Sequence, residues 1–403
     1  MKPYLDVMRN VLENGISKDN RTGVGTKYIF SEKFRCDLRD GFPLLTTKKI
    51  NFAKVAGELF GFLTGATSVQ EFQAFDCDIW DAWGLKSDVY RITQLLKSEY
   101  YQSLALKLNI TEDEAKAQIT EVEETFTKWN ADYQAAIAGI ANGNVDDPTN
   151  KNGYGVMNEL LERKPKTVEE YLQSLEVPLF LKDISMPEGY LGPIYGKQWL
   201  EWRTSTGELI NQIKRVADQL SGSPMSRRII ITGWNPEDVP ADKYTTYPDG
   251  TPVLDSSMNV QASILHGKQA LPPCHLLTVL DVQKTDDEAI LNLHLTMRST
   301  DVPIGLPFNI ASYALLLTMI AENHGFVPGQ LVIEMVNCHI YADQIELTKT
   351  QLERDVKKLP TFKLPKGIDY ADPSTLTREA FESVVAALEG YEHHPFIKYP
   401  VAV

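Results

Sequence analysis

The chain has 403 residues, of which 43% are apolar and 23% charged, and its formal net charge is −14. That length allows one large domain or two to three smaller ones, and the composition is that of a soluble globular protein with a sizeable core. The acidic balance argues against a general nucleic-acid or membrane-surface binder, since both need a basic face, but allows an anionic small substrate held by a few clustered arginines.

Along the chain, Leu5, Met8, Val11 and Leu12 recur at helical spacing over 3–15, with Gly15 as a stop signal. Residues 27–38 read as strand, Asp40-Gly41 as a turn, and 52–64 as a helix with Val55, Leu59, Phe62 and Leu63 on its apolar face. Residues 85–190 have another texture. Thr111-Glu112-Asp113-Glu114 fits a capping box, and Ile119, Val122, Phe126, Trp129, Tyr133, Ile137 and Ile140 follow on one helical face. Thr167-Val168-Glu169-Glu170 suggests a second, shorter helix start. This segment holds 18 Asp/Glu against 11 Lys/Arg, half of the net charge, and reads as an inserted, mainly helical, acidic subdomain serving packing or assembly. Residues 1–84 and 191–403 then form the parent domain. The polar stretch 241–269, with its Tyr247-Pro248-Asp249-Gly250 turn signal, reads as a long surface loop. Leu291, Leu293, Leu295 and Met297 alternate with polar residues, so 291–298 is a strand. Residues 310–323 are an apolar helix, 331–336 a strand and 343–356 a helix. Strands and helices mix without regular βαβ alternation, which points to an α+β fold around a mixed sheet.

The four cysteines, Cys36, Cys77, Cys274 and Cys338, form no C-x-x-C pair and read as reduced thiols of a cytoplasmic protein. No apolar run reaches the ~18 residues of a membrane span, and Met1-Lys2-Pro3-Tyr4-Leu5-Asp6 shows no signal-peptide core. Pro272-Pro273-Cys274 places a thiol after a rigid turn. It is either a buried structural cysteine or a nucleophile needing positive charge nearby. Arg227-Arg228, which would face opposite ways on a strand, are a solvated pair or a phosphate site; Arg21 and Arg298 admit the same two readings. Asn309, at the mouth of an apolar helix, is an N-cap or a reader of a base edge.

Several blocks together resemble the thymidylate synthase family. Arg298-Ser299-Thr300-Asp301 followed by Gly305-Leu306-Pro307-Phe308-Asn309-Ile310-Ala311-Ser312-Tyr313-Ala314 is similar to its signature, and Pro272-Pro273-Cys274-His275 to its nucleophile segment. Asp19-Asn20-Arg21-Thr22-Gly23, Gly41-Phe42-Pro43-Leu44, Ile79-Trp80-Asp81, Leu191-Gly192-Pro193-Ile194-Tyr195-Gly196, Ser226-Arg227-Arg228, Cys338-His339-Ile340-Tyr341 and the ending Tyr399-Pro400-Val401-Ala402-Val403 match in family order.

The resemblance implies a three-layer α+β fold with a mixed sheet that dimerises through its sheets, plus the inserted helical subdomain. It implies reductive methylation of dUMP to dTMP, with 5,10-methylenetetrahydrofolate as co-substrate and no metal. Cys274 would add to C6 of uracil, and Glu58 and Tyr195 would manage protons at C5 and O4. Arg21, Arg298 and Ser299 would hold the phosphate, with Arg227 and Arg228 reaching it from the other subunit of a homodimer. Asn309 would read the base, and His339 and Tyr341 the sugar. Asp301 would bind the pterin, beside Trp80, Trp83, Gly305 and Ala402 on the folate side, with the tail as a lid. The resemblance departs at the 85–190 insertion, at the 241–269 stretch, at Gly61, at Val336-Asn337-Cys338 and at Met297, where most members have a glutamine. Met297 is similar to the hydroxymethylase branch, which makes a dUMP hydroxymethylase the alternative. A nucleotide-binding assembly protein is a third reading.

Overall fold

The computed structural model describes residues 1–18, 23–86, 90–95, 104–105, 107–108, 110–142, 159–167, 170–171, 181–204, 206–245 and 259–401. The chain forms two compact units, Met1–Val89 with Pro187–Val403, and Tyr90–Met186.

In the first unit the elements are α1 (Lys2–Asn14), β1 (Ile16–Lys18), β2 (Thr26–Asp37), α2 (Phe52–Thr64), α3 (Val69–Gln73), α4 (Tyr195–Leu200), α5 (Gln212–Gly222), β3 (Ile230–Thr232), α6 (Asn259–Leu265), β4 (His275–Lys284), β5 (Ala289–Met297), β6 (Thr300–Asp301), α7 (Gly305–Asn323), β7 (Val327–Tyr341), α8 (Ile345–Leu352) and α9 (Arg378–Ala386). Among the described residues, seven strands make one sheet in the order β1-β2-β7-β5-β4-β3, with β6 beside β7. The pairs β7–β5 and β7–β6 are parallel and the rest antiparallel. The expected mixed α+β sheet is therefore present. In β5, Leu291, Leu293, Leu295 and Met297 are buried while Asn292, His294 and Thr296 are half-buried, as period-two alternation requires.

The buried face of the sheet carries α7, which packs on β5 and β7 and is covered in turn by α2. This helix is long and apolar enough to cross a membrane, yet 78% of it is buried inside the fold. It is the core helix, apolar all round because neighbours surround it. It starts at Gly305, so Pro307 falls in the first turn, where a missing N–H costs nothing. Asn309 thus lies one turn inside the helix and is not its N-cap. That corrects one of its two sequence readings.

Gly61, within α2, has a packing reason. A Cβ there would sit 2.3 Å from Cε1 of Phe72, and Phe72 is fully buried between Phe62 and Trp80. The ring has nowhere to retreat. Gly61→Ala gains up to ~1 kcal/mol of helix propensity but overpacks the core at about 1–3 kcal/mol. The expected result is a lowered Tm; a Tm that rises would remove Phe72 as the constraint.

The stretch 241–269 is not one long surface loop. Its part 246–258 lies outside the described residues, but α6 follows with Ala262, Ser263, Ile264 and Leu265 buried. The Gln261 side chain accepts from Lys86 N–H at 2.9 Å and donates to Gly84 O at 3.1 Å. Val260, Ile264 and Leu265 supply the one apolar side that a short helix needs. Nearby, Leu85 N–H donates to Tyr190 O at 2.9 Å and Gly189 N–H to Leu85 O at 2.7 Å, so 85 and 190 are neighbours within this unit.

The unit Tyr90–Met186 has an antiparallel pair, Tyr90–Leu95 with Leu181–Met186, and a 31-residue helix, Glu112–Asn142. Thr111 and Glu114 cap that helix reciprocally: Thr111 N–H donates to Glu114 at 2.8 Å and Glu114 N–H to Thr111 Oγ1 at 3.2 Å. Ala115 and Ile119 are buried. Trp129 stacks on Tyr133, centroids 5.2 Å apart, and donates to Leu160 O at 2.7 Å. At the second start Thr167 and Glu170 also cap reciprocally, Thr167 N–H donating to Glu170 at 2.9 Å and Glu170 N–H to Thr167 Oγ1 at 3.2 Å; Val168, Glu169 and the side chains of Ile137 and Ile140 lie outside the described residues.

Candidate active site

Cys274 stands at the entrance to β4 and is partly exposed. Its N–H donates to Tyr195 Oη at 2.8 Å. Tyr195 opens α4 just after Gly192, whose φ of +74° and close approach to Lys268 O exclude a side chain. Arg298, at the end of β5, clamps the turn from the other side. Its Nε donates to Pro273 O at 2.8 Å, its Nη2 to Pro272 O at 2.7 Å and its N–H to Cys274 O at 3.0 Å. Trp234 lies under the guanidinium at 5.9 Å. Burial pushes the Cys274 thiol up, and the Arg298 charge draws it back down. A guanidinium has five N–H donors, so Arg298 can hold the turn and still face an anion.

Beside Cys274, His275 is buried, and burial lowers it to about 4, with its Asn309 bond opposing. The ring is therefore neutral. Asn309 Nδ2 lies 2.7 Å from His275 Nε2. The amide NH₂ then donates, Nε2 accepts, and the ring proton sits on Nδ1, which is buried without a partner among the described residues. This orients Asn309.

Glu58, on α2, is buried and accepts from Trp80 Nε1 at 3.1 Å. Desolvation raises its carboxyl from the ordinary 4.5 to about 7, the Trp80 bond opposing. Burial raises the Tyr195 hydroxyl strongly, and both Cys274 and Glu58 act on it electrostatically. Tyr195 is thus the group that the thiol and the carboxylate share.

Asp301 follows β5 on β6. Desolvation raises it, while the Ile304 N–H bond at 2.8 Å, His339, the Gln344 bond at 3.3 Å and Lys48 oppose. Lys48 is itself buried and lowered to about 8 by burial, partly offset by Asp301. Its Nζ donates to Pro303 O at 2.6 Å and lies 4.7 Å from the Tyr399 ring centre. His339 Nδ1 is 2.8 Å from Asn337 O, and its ring meets Tyr341 edge-on at 5.1 Å. Asn337 has φ +50°, a left-handed conformation asparagine tolerates.

A cavity of about 680 Å³ opens between α2, the start of α7 and the tail, lined by Lys48, Glu58, Trp83, Gly305, Tyr399 and Val401 among others. Trp83 lines it directly. Trp80 instead lies behind, stacked on Phe72 at 5.7 Å. Ser299 is half-buried beside Arg298. Arg227 and Arg228 are exposed in the turn before β3, not on a strand, so the expectation of opposite strand faces does not hold; the strand starts only at Ile230, where pairing to Val279 begins. Arg21 and Ala402 lie outside the described residues.

The fold thus gathers Cys274, Tyr195, Glu58, Arg298 and Asn309 around one centre, with the tail at the cavity and Asp301 next to its wall, bonded to Ile304 N–H. Reading the sequence missed Lys48, His275 and Gln344 as parts of this arrangement. Their signal is burial of a polar side chain, which no local pattern announces. Only Lys48, in the polar run Thr46-Thr47-Lys48-Lys49 between apolar Leu45 and Ile50, all but Lys49 buried, carries a trace of it.

The family model described as "Thymidylate synthase" matches residues 2–403. The chain is 32% identical, over 403 residues and the full length of both chains, to proteins named "Thymidylate synthase" from Listeria monocytogenes serotype 4a (strain HCC23) and serotype 4b (strain F2365). The match over the whole chain places it in the thymidylate synthase family.

Proposed function

We propose that the protein methylates dUMP to dTMP with 5,10-methylenetetrahydrofolate, releasing dihydrofolate. The observation that carries this reading is Cys274 held between Tyr195 Oη and Arg298, with the raised Glu58 carboxyl acting on the same tyrosine. The Cys274 thiolate adds to C6 of uracil, and the electron pair moves toward C5 and O4. Asn309, oriented by His275, reads the pyrimidine edge. Arg298 and Ser299, with Arg21 and the second subunit's copies of Arg227 and Arg228, bind the phosphate, which makes the working unit a homodimer. The arginines concentrate positive field at one point of an acidic molecule. His339 and Tyr341 contact the sugar. Tyr195 and Glu58 take up the proton lost from C5, and expulsion of the Cys274 thiolate restores the ring.

The cavity, at about 680 Å³, is of a size and character to take a pterin-bearing ligand. Trp83 and Gly305 line it, with Trp80 buttressing the wall behind, and Asp301 and Ala402 are further groups that contact the folate. The folate supplies the one-carbon unit and the hydride. The unit Tyr90–Met186 is an insertion into this catalytic body and takes no part in the chemistry.

Met297 and Asn337 favour a second reading. Met297 is buried opposite His275 in the β4–β5 pair, and Asn337 adopts a left-handed conformation beside His339. Trapping of the exocyclic methylene by water would then give 5-hydroxymethyl-dUMP. One experiment separates the two. Incubation with dUMP and methylenetetrahydrofolate should raise the dihydrofolate absorbance in step with nucleotide product. No rise, together with a product heavier than dTMP by one oxygen, makes the enzyme a hydroxymethylase. No nucleotide product at all leaves a binding protein.

A further inference from the structure

We propose that Gln344 is a positioning residue that seats the C-terminal tail against Asp301 and so couples closure of the cavity to recognition at that carboxylate. Gln344 is fully buried in the turn between β7 and α8. Its Oε1 accepts from Tyr341 N–H at 3.2 Å. That bond sets the amide orientation and leaves both N–H groups facing the other way. One lies 3.3 Å from Asp301 Oδ2 and the other donates to Pro400 O at 3.0 Å.

These two contacts fall where the tail changes character. Tyr399 is buried, its hydroxyl donating to Gln351 Oε1 at 2.8 Å. Pro400 is half-buried, and Val401 is 60% exposed on the rim of the cavity. Proline has no N–H, so its carbonyl is the only backbone polar group by which Pro400 can be tied down. Gln344 ties it, and the same amide reaches Asp301, which accepts from the N–H of Ile304 on the cavity wall. The bond to Pro400 O is the shorter of the two, 3.0 Å against 3.3 Å to the carboxylate. A ligand that fixes Asp301 therefore fixes Gln344 and with it Pro400. A tail that lifts away frees one N–H of the amide and loosens the donor on Asp301.

The inference rests on Asp301 and the tail being groups of the folate side, and its test separates the two claims. Full-length wild type, Gln344→Leu and Gln344→Glu are compared. The second variant keeps volume and acceptor, exchanges the donating NH₂ for oxygen and sets a like charge against Asp301, so it breaks both bonds and carries the test should the leucine variant misfold. Carboxypeptidase should release the C-terminal residues faster by about tenfold in both variants, the scale of one hydrogen bond. In turnover, KM for methylenetetrahydrofolate should rise by about tenfold, while dUMP Kd by equilibrium dialysis stays within about twofold. Equal release rates in all three proteins would overturn the proposal. So would folate KM and dUMP Kd rising together, which is what a merely structural role produces. Release requires no turnover, so a failure of this coupling and a failure of the functional reading give different results.

Discussion

Cys274→Ala is expected to abolish turnover, by roughly 10⁴-fold or more, while dUMP still binds. The thiol carries the covalent step, whereas Arg298 and Asn309 lie on separate elements, the end of β5 and the second turn of α7. Removing the sulfur leaves the backbone clamp intact, because Tyr195 and Arg298 hold the N–H and C=O of residue 274, not its side chain. The other thiols should be dispensable. Burial pushes Cys36 and Cys338 up to about 12 and Cys77 higher still, so none is a thiolate near neutral pH. Dihydrofolate absorbance measures turnover and equilibrium dialysis measures dUMP binding. Substantial turnover by Cys274→Ala would refute the nucleophile assignment.

Glu58→Gln should lose activity and gain stability, two effects of one buried carboxyl. As a proton-handling group near the operating pH, Glu58 should be worth roughly 10²–10⁴-fold in kcat. The wild-type kcat should rise with pH through about 7, where the carboxyl ionises, and that limb should vanish in the variant. Stability runs the opposite way. The folded-state value lies above the ordinary 4.5, so the native state holds the proton more tightly than the unfolded chain. The associated stability is fully present below about 4.5 and is lost as pH rises through about 7. The charged, buried form then costs on the order of 3 kcal/mol. Glutamine avoids that cost and keeps the acceptor for Trp80. The variant should therefore melt higher than wild type at pH 8, with the gap closing below pH 4.5. A pH-independent Tm difference would show that Glu58 is not the titrating group.

How far these groups could be read in advance depended on the range of the interaction involved. Period-two alternation over Leu291–Met297 and helical spacing over 52–64 were legible as β5 and α2, because each side chain's face follows from its own position on the backbone. The capping box at Thr111 was legible for the same reason: donor and acceptor are three residues apart. The joint run of motif blocks also indicated the family from sequence alone, since blocks far apart in the chain each retain a local chemical signature. Asn309 shows where that reading stops. From sequence it could be a helix cap or a base reader. Only the start of α7 at Gly305 and the contact with His275 across β4 set its place and the direction of its amide.

The sequence by itself determined that 52–64 and 310–323 become helix, that 291–297 becomes strand and which thiol follows a rigid turn, since propensity, period and proline act locally. Only the tertiary structure decided which polar groups lose water. It buried Glu58 beneath Trp80 and so moved its ionisation into the working range. It buried Lys48 beside Tyr399, placed Phe72 on Gly61, folded 259–265 into a helix against Gly84, and brought Gln344 between Asp301 and Pro400. Desolvation and long-range hydrogen bonding depend on neighbours tens to hundreds of residues away, and no spacing rule in the chain encodes those neighbours before the fold assembles them.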